Sequence, residues 1–444
     1  MMLQYLLLAL YCLPGFWPVT PLNASSRHPE PVTIHAVSPT VFFRQENDRL
    51  VQAVDVELTS RLPLAKATVT VQASNLRFTT PLPEVAAGTS TVRLFVPDVR
   101  DTTALVFTVS HDGQVVATYP VNWVPQRHWE LHVVHSSHHD LGYTDLPNRV
   151  LEEHKDHLTK AIAYCELTES WPEASRFHYV IEQAWSAMYF MEHTRDEALK
   201  QKFVRYLQNG QLEITALFGN QNTDLSGHEE LNRLLYPSFR LKNRYNIPLK
   251  TAETNDMPGI NWGLVPVLHG AGIRYLYAGV QDYFSWGTTV PAPWDERKVM
   301  RRDIAGAFYW MGPDSTKVLF WYGGGSLDNL WLWTPPQAEA ELGQFLTRHQ
   351  SNGYPYDMLL ARVMGGYRDN SLPDLRHSQL IRTWNDTWAY PKIRFTTNQA
   401  FFADFEARHG SSLRTVRGDF NQTDYNIGAI STPRETGYHR ANQR

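Results

Sequence analysis

Residues 129–147 read WELHVVHSSHHDLGYTDLP, an apolar run that breaks into histidines and an aspartate. Leu131, Val133 and Val134 lie in a short segment followed by Gly142 and Pro147, the pattern of a buried strand that ends in a loop. Successive side chains of a strand alternate faces, so His138 and Asp140 are expected on one face and His139 on the other. An imidazole and a carboxylate placed together suit a zinc ion, and the C-terminal end of a barrel strand is where catalytic groups gather. The same residues also suit a polar loop whose histidines bond to backbone, because two ligands alone do not make a metal site.

Working outward, the chain of 444 residues is too long for one ordinary domain, and its 43 % hydrophobic content supports large cores in two or more. The formal net charge is −4, with no basic tail or stripe, which argues against nucleic acid or an anionic membrane as partner. The 14 Trp and 21 Tyr suit sugar stacking and ordinary cores alike. Near the start, LLLALYCLPGF has the length of a signal-peptide core and is too short for a stable membrane span, although no basic residue precedes it. A signal peptide over residues 1–25 and a secreted or periplasmic location are therefore expected. Cys12 and Cys165 are the two cysteines, so a chain that has lost this leader can form no internal disulfide.

Residues 30–126 carry short alternating runs such as VQAVDVELTS, ATVTVQAS and STVRLFVPDV, separated by turn residues. That spacing predicts an all-β sandwich of immunoglobulin-like type, with HDGQ at 111–114 as a hairpin turn. From Trp129 the pattern changes to alternating strands and helices, which predicts an α/β domain over 128–410 with a mostly parallel sheet. Helices are expected over Asn148–Thr168, over Asp196–Asn209 with Gly210 as the stop, and over Leu264–His269. Strands are expected in FHYVIEQAW (177–185, with Glu182 at the strand end), in QLEITALFG (211–219), near Ala252, and in IRYLYAGV and KVLFWYGG. The repeated unit points to a closed or nearly closed β/α barrel.

The segment SHHDLGYTD resembles the first zinc motif of glycoside hydrolase family 38, the α-mannosidases, usually written His-x-Asp-x-Gly-Trp; Tyr143 stands where the Trp usually is. FGNQNTDLSGHEELNR, from Phe218, is similar to the family loop that supplies an aspartate serving as both zinc ligand and nucleophile, with Asp224 as its match. Taken alone, Asp224 or Ser226 suits equally a helix N-cap ahead of Glu229 and Glu230. AETNDMPGINWGLVPVL resembles the family's Ile-Asp-Pro-Phe-Gly-His-Ser stretch, with Asp256 at the general acid/base and Ile260 in place of the His. Beside Pro258, Asp256 also suits a turn. YPYDMLLARVMGGYRDN and PDLRHSQLIRTWNDTWAYPKIRFTTNQAFFADFE look like the closing barrel segment, with Asn398 replacing a family proline.

The resemblance implies a seven-stranded β/α barrel that holds zinc through His138, Asp140 and Asp224 and acts on a glycan. It implies a retaining mechanism with Asp224 as nucleophile and Asp256 as acid/base, the two carboxyls about 5 Å apart. Tyr143, Glu182, Asp369 and Asn370 are the candidate sugar contacts, although Asp369 and Asn370 could equally shape their loop. The family's fourth zinc ligand, a histidine in a His-His-Asp motif after the barrel, has no counterpart here. Residues 411–444 read as the start of a following helical region, so the sequence is expected to be part of a longer protein. Two further readings are a non-catalytic carbohydrate-binding relative and a metal-dependent sugar deacetylase. Relatives of the family often associate, so a homo-oligomer is also an expectation.

Overall fold

The structure, a computed structural model, describes residues 31–74, 76–255, 257, 260–279, 306–323, 334–364, 369–419 and 432–442. The chain is a mixed α/β protein that divides into two compact units. The first takes in Met1–Val37, Val56–Val92 and Ala104–Val121, and the second Ser38–Asp55, Arg93–Thr103 and Asn122–Arg444.

Seven strands come first: β1 (Val32–Glu46), β2 (Arg49–Ser60), β3 (Thr68–Gln72), β4 (Arg77–Pro81), β5 (Gly88–Pro97), β6 (Thr103–His111) and β7 (Gln114–Trp123). They form a three-stranded sheet in the order β1-β2-β5 and a four-stranded sheet in the order β4-β3-β6-β7. Period-2 burial is plain in β6, where Leu105, Phe107 and Val109 are buried and Val106 faces out. The turn expected in HDGQ joins β6 to β7, with Asp112 at φ 51° and Gly113 at φ 77°. Two consecutive left-handed residues are what the type I′ turn of a two-residue hairpin requires.

The second unit continues with β8 (Glu130–Ser136), α1 (Pro147–Thr168), β9 (Tyr179–Ile181), α2 (Ala184–His193), α3 (Glu197–Asn209), β10 (Leu212–Ile214), α4 (His228–Arg233) and α5 (Tyr236–Tyr245). Then follow β11 (Thr251–Asn255), α6 (Leu264–Gly270), β12 (Tyr275–Gly279), β13 (Ala307–Met311), β14 (Lys317–Gly323), α7 (Pro335–Ser351) and β15 (Met358–Met364). The described chain closes with α8 (Arg376–Thr387), β16 (Lys392–Thr396), α9 (Asn398–His409), β17 (Thr415–Arg417) and α10 (Pro433–Asn442). The α3 boundaries follow from chemistry: the Asp196 side chain accepts Leu199 N–H at the start, and Gly210, at φ 83°, takes the left-handed position at the end. Cys165 is buried on the inner face of α1, with Sγ 3.7 Å from Phe177 O.

Two sheets organise this unit. β8 pairs in parallel with β15 and β16 along most of its length and with β9 at its tip, and β9 pairs in parallel with β10. The second sheet runs β11-β12-β14-β13-β17, parallel except where β13 meets β14. The predominantly parallel pairing is the one the alternating pattern predicts. Ala216 N–H donates to Thr251 O at 2.9 Å, and the Thr251 hydroxyl bonds Glu213, which links the β10 and β11 edges. Among the described residues no continuous ladder closes the two sheets into a barrel. None of the described helices is long and apolar enough to cross a membrane.

A polar network is buried inside this unit. Arg362, in β15, forms an ion pair with Glu253 of β11 and reaches Ser136 Oγ through Nε at 2.9 Å. Asn398 Nδ2 donates to the other oxygen of Glu253 at 2.6 Å, and Gln399 N–H donates to Glu213 Oε2 at 2.9 Å. The asparagine at 398 therefore has a specific partner in the core.

Candidate active site

β8 ends at Ser136, so His138, His139 and Asp140 lie just beyond the strand rather than in it. The two histidines part company there. His139 is buried with Nδ1 2.7 Å from Gln183 Oε1, and its ring stacks in a tilted row with His154 and His157, at centroid spacings of 4.3 and 4.9 Å. Burial lowers the pKa values of His139 and His154 and favours their neutral forms.

His138 turns instead to Glu182. Its Nδ1 lies 3.0 and 3.2 Å from the two carboxylate oxygens. Glu182 is only 2 % exposed and follows directly on β9. Burial opposes its charge, but the His138 ring and the Asn220 amide hold the carboxyl below the usual glutamate range. Asn220, in the loop after β10, donates Nδ2 to Glu182 Oε1 at 2.7 Å and accepts Asn255 N–H at 3.2 Å through Oδ1. One hydrogen-bonded chain thus crosses the ends of β8, β9, β10 and β11.

Asp140 Oδ2 accepts Thr144 N–H at 3.0 Å, which fixes the loop after the strand. The loop is fastened by Asn370, whose Oδ1 accepts Asp140 N–H at 3.1 Å and whose Nδ2 donates to Asp140 O at 2.9 Å and to Thr144 Oγ1 at 2.7 Å. Asn370 N–H donates to His138 O at 2.9 Å, and His154 Nε2 lies 2.9 Å from Oδ1. At 4 % exposure its amide is taken up by these bonds, the loop-shaping role. Its neighbour Asp369 is half-buried. Burial and the charges of Asp140 and Glu182 raise its pKa, against the opposing pull of His138. Tyr143 is 94 % exposed.

Asp224 sits in the 3₁₀ turn Thr223–Leu225, and of Asp224 itself only the backbone is described. The N-terminus of α4 is capped otherwise: Glu230 Oε2 accepts the N–H of Gly227, the N-cap residue, at 2.8 Å. Asp256 lies outside the described residues. The chain on either side of it is tied to the Asp224 loop, at Asn255 through Asn220 and at Asn261, whose N–H donates to Thr223 Oγ1 at 2.8 Å. Asn255 also accepts Gly279 N–H at 3.1 Å, and a Cβ at Gly279 would collide with its Oδ1.

A different trio of metal-type donors, Glu130, His132 and Asp404, gathers where β8 begins. Its carboxylates are already engaged: Arg408 reaches Glu130 at 2.7 Å and Asp404 at 2.9 Å, and Arg394 reaches Glu130 at 3.1 Å. An added cation would have to displace two guanidinium groups. The donors after Ser136 face no such competition from a described arginine.

Of the residues singled out in the sequence, the structure brings His138 and Glu182 into contact and sets Asp140 in the loop fastened by Asn370; Asn220, His154 and the Glu253–Arg362 pair were not singled out. A signal for the last was present, a single arginine inside the apolar run MLLARVM. A charge in such a strand needs a buried partner.

The family model of the glycosyl hydrolases family 38 N-terminal domain matches residues 128–423. Among solved structures, the chain is similar to an α-mannosidase from Enterococcus faecalis V583, at 17 % identity and TM-score 0.46, over 66 % of this chain and 31 % of that one. A protein in glycosyl hydrolase family 38 from Enterococcus faecalis gives 18 % identity and TM-score 0.45 over 66 % and 29 %. The 4-α-glucanotransferase of Thermococcus litoralis gives 12 % and TM-score 0.42 over 71 % and 48 %. The aligned part thus spans about a third of the length of each Enterococcus protein. No curated protein matches the sequence.

Proposed function

This chain belongs to glycosyl hydrolase family 38, and on that premise we propose that it carries the catalytic region of a zinc-dependent, retaining, α-mannosidase-like glycosidase. In this reading the two sheets of the second unit are arcs of a seven-stranded β/α barrel over 128–410. The strands of residues 30–126 form an immunoglobulin-like sandwich, residues 411–444 begin a helical region, and the N-terminal apolar stretch directs the protein out of the cytoplasm. Association into a homo-oligomer belongs to the same reading.

The donor set suits zinc. With Nδ1 turned to Glu182, His138 presents Nε2 as the ligating nitrogen, and a carboxylate behind a histidine ligand is the usual support of a zinc site. Asp140, held at Oδ2 by Thr144, would offer its other oxygen, and Asp224 would supply a third ligand. Bound there, zinc would grip neighbouring sugar hydroxyls and favour a flattened ring.

The chemistry falls to the protein's carboxylates. Asp224 would attack the anomeric carbon while Asp256 protonates the departing oxygen. Asp256 would then take a proton from the water that releases the glycosyl-enzyme. The bonds Asn220–Asn255 and Thr223–Asn261 support this pairing, because they hold the two aspartate-bearing segments together. Tyr143, by its exposure, and the half-buried Asp369, beside Asn370, are the proposed sugar contacts. Glu182 and Asn370 would act from behind them.

The observation that carries the proposal is the His138–Glu182–Asn220–Asn255 chain at the strand ends, within the region matched by the family model. Its test is zinc content and aryl α-mannoside hydrolysis of the full-length protein beside Asp224→Asn. About one zinc per chain is expected, with turnover lost in the variant. Mannoside binding with no hydrolysis by the wild type would instead select a non-catalytic relative, and acetate release from an acetylated glycan would select a deacetylase.

A further inference from the structure

Glu182 takes no part in the bond-making steps proposed above. It is buried at the end of β9, yet it collects donors from two other strand ends: His138 Nδ1 beyond β8 and Asn220 Nδ2 beyond β10. An ionised carboxylate can only accept hydrogen bonds, so a ring nitrogen 3.0 Å from it must carry a proton. With the proton on Nδ1, the lone pair of the neutral ring is on Nε2. Asn220 is itself oriented from both ends, since its Oδ1 accepts Asn255 N–H. Its amide cannot flip without facing its own Nδ2 donor against that N–H.

We infer that Glu182 is a positioning residue: it locks His138 in the Nδ1–H tautomer and, through Asn220, fixes the His138 loop in register with the loop that carries Asp224. The inference rests on the zinc-site reading above. Two contacts give Glu182 its importance. His138 is 44 residues distant in sequence and Asn220 is 38, so one side chain sets two loops that no local hydrogen bond would align. Removing the acceptor frees the imidazole to rotate and to exchange tautomers, and only one tautomer and one ring orientation serve a metal held at Nε2.

The test uses the full-length protein, metal-free and ¹⁵N-histidine labelled, with the His138 resonances assigned by comparison with His138→Gln. An Nδ1–H ring is expected in the wild type and in Glu182→Gln, whose amide oxygen can still accept, and mixed tautomers in Glu182→Ala. Zinc affinity by chelator competition should fall about 10- to 100-fold in Glu182→Ala and recover to within about fivefold of wild type in Glu182→Gln. An Nε2–H ring in the wild type overturns the inference even if Glu182→Ala fails to fold. Wild-type zinc affinity in Glu182→Ala overturns it as well. A wild type that binds no zinc refutes the metal-dependent function instead, while the tautomer still decides what Glu182 does to His138.

Discussion

Asn370 holds a left-handed backbone, φ 53°, and from there its amide reaches Asp140, Thr144 and His154. Few residues tolerate that backbone, and asparagine is among them. Replacing it with alanine would remove the partners of the part-buried Asp140 N–H and carbonyl and of the buried His154 ring. We expect Asn370→Ala to cost about 2–4 kcal/mol, read from urea unfolding, because several bonds are lost and buried groups are left unpaired. Unchanged stability would show that water replaces the amide. Single residues of this kind are hard to read in a sequence. His138 and Asp140 announce themselves by type and spacing, but the pairing of Asn370 with Asp140 joins positions 230 apart. Asp224 and Asp256 are assigned only by likeness to a family, since each also suits an ordinary cap or turn.

Elements were far more legible, because caps and periodicity are local. α3 begins and ends where Asp196 and Gly210 predict. We expect Asp196→Ala to cost about 1 kcal/mol through the lost cap. Gly210→Ala should cost a similar amount: no atom lies within 4 Å of the added Cβ, but φ 83° strains any L side chain. The sites lie at opposite ends of the helix, so the double variant should show the sum in chemical denaturation. A clearly smaller sum would mean that α3 frays before the protein unfolds. Among the strands, apolar runs marked β8, β12 and β14. β13, an aromatic run antiparallel to β14, escaped a reading built on parallel units, and β17 has three residues with Val416 as its one apolar side chain. Pairing order was likewise hidden, because β15 and β16 meet β8 across more than two hundred intervening residues.

Across the whole molecule, buried charge sets how stability responds to pH. Burial, with the nearby Glu253 charge adding to it, lifts the Glu213 carboxyl from about 4.5 to about 7, against its bonds to Thr251 and Gln399. Between those values the folded protein keeps a proton that the unfolded chain has released. This stabilisation is complete below about pH 4.5 and is lost as the pH rises through about 7. Glu213→Gln should flatten that slope, by at most about 1.4 kcal/mol per pH unit, in urea unfolding from pH 5 to 8. A slope equal to wild type would place the titration elsewhere. The change near Trp129 from strands alone to alternating strands and helices was legible in the sequence, but the interior network was not, because its members come from β8, β10, β11, β15 and α9. Cys165 adds a different kind of consequence. Its thiol is sealed under α1 and burial pushes its pKa upward, so the reactive thiolate is suppressed while the helix stays in place. In a Cys12→Ser background this sulfur becomes a built-in stopwatch: the rate at which a thiol reagent labels it reports how often the protein opens.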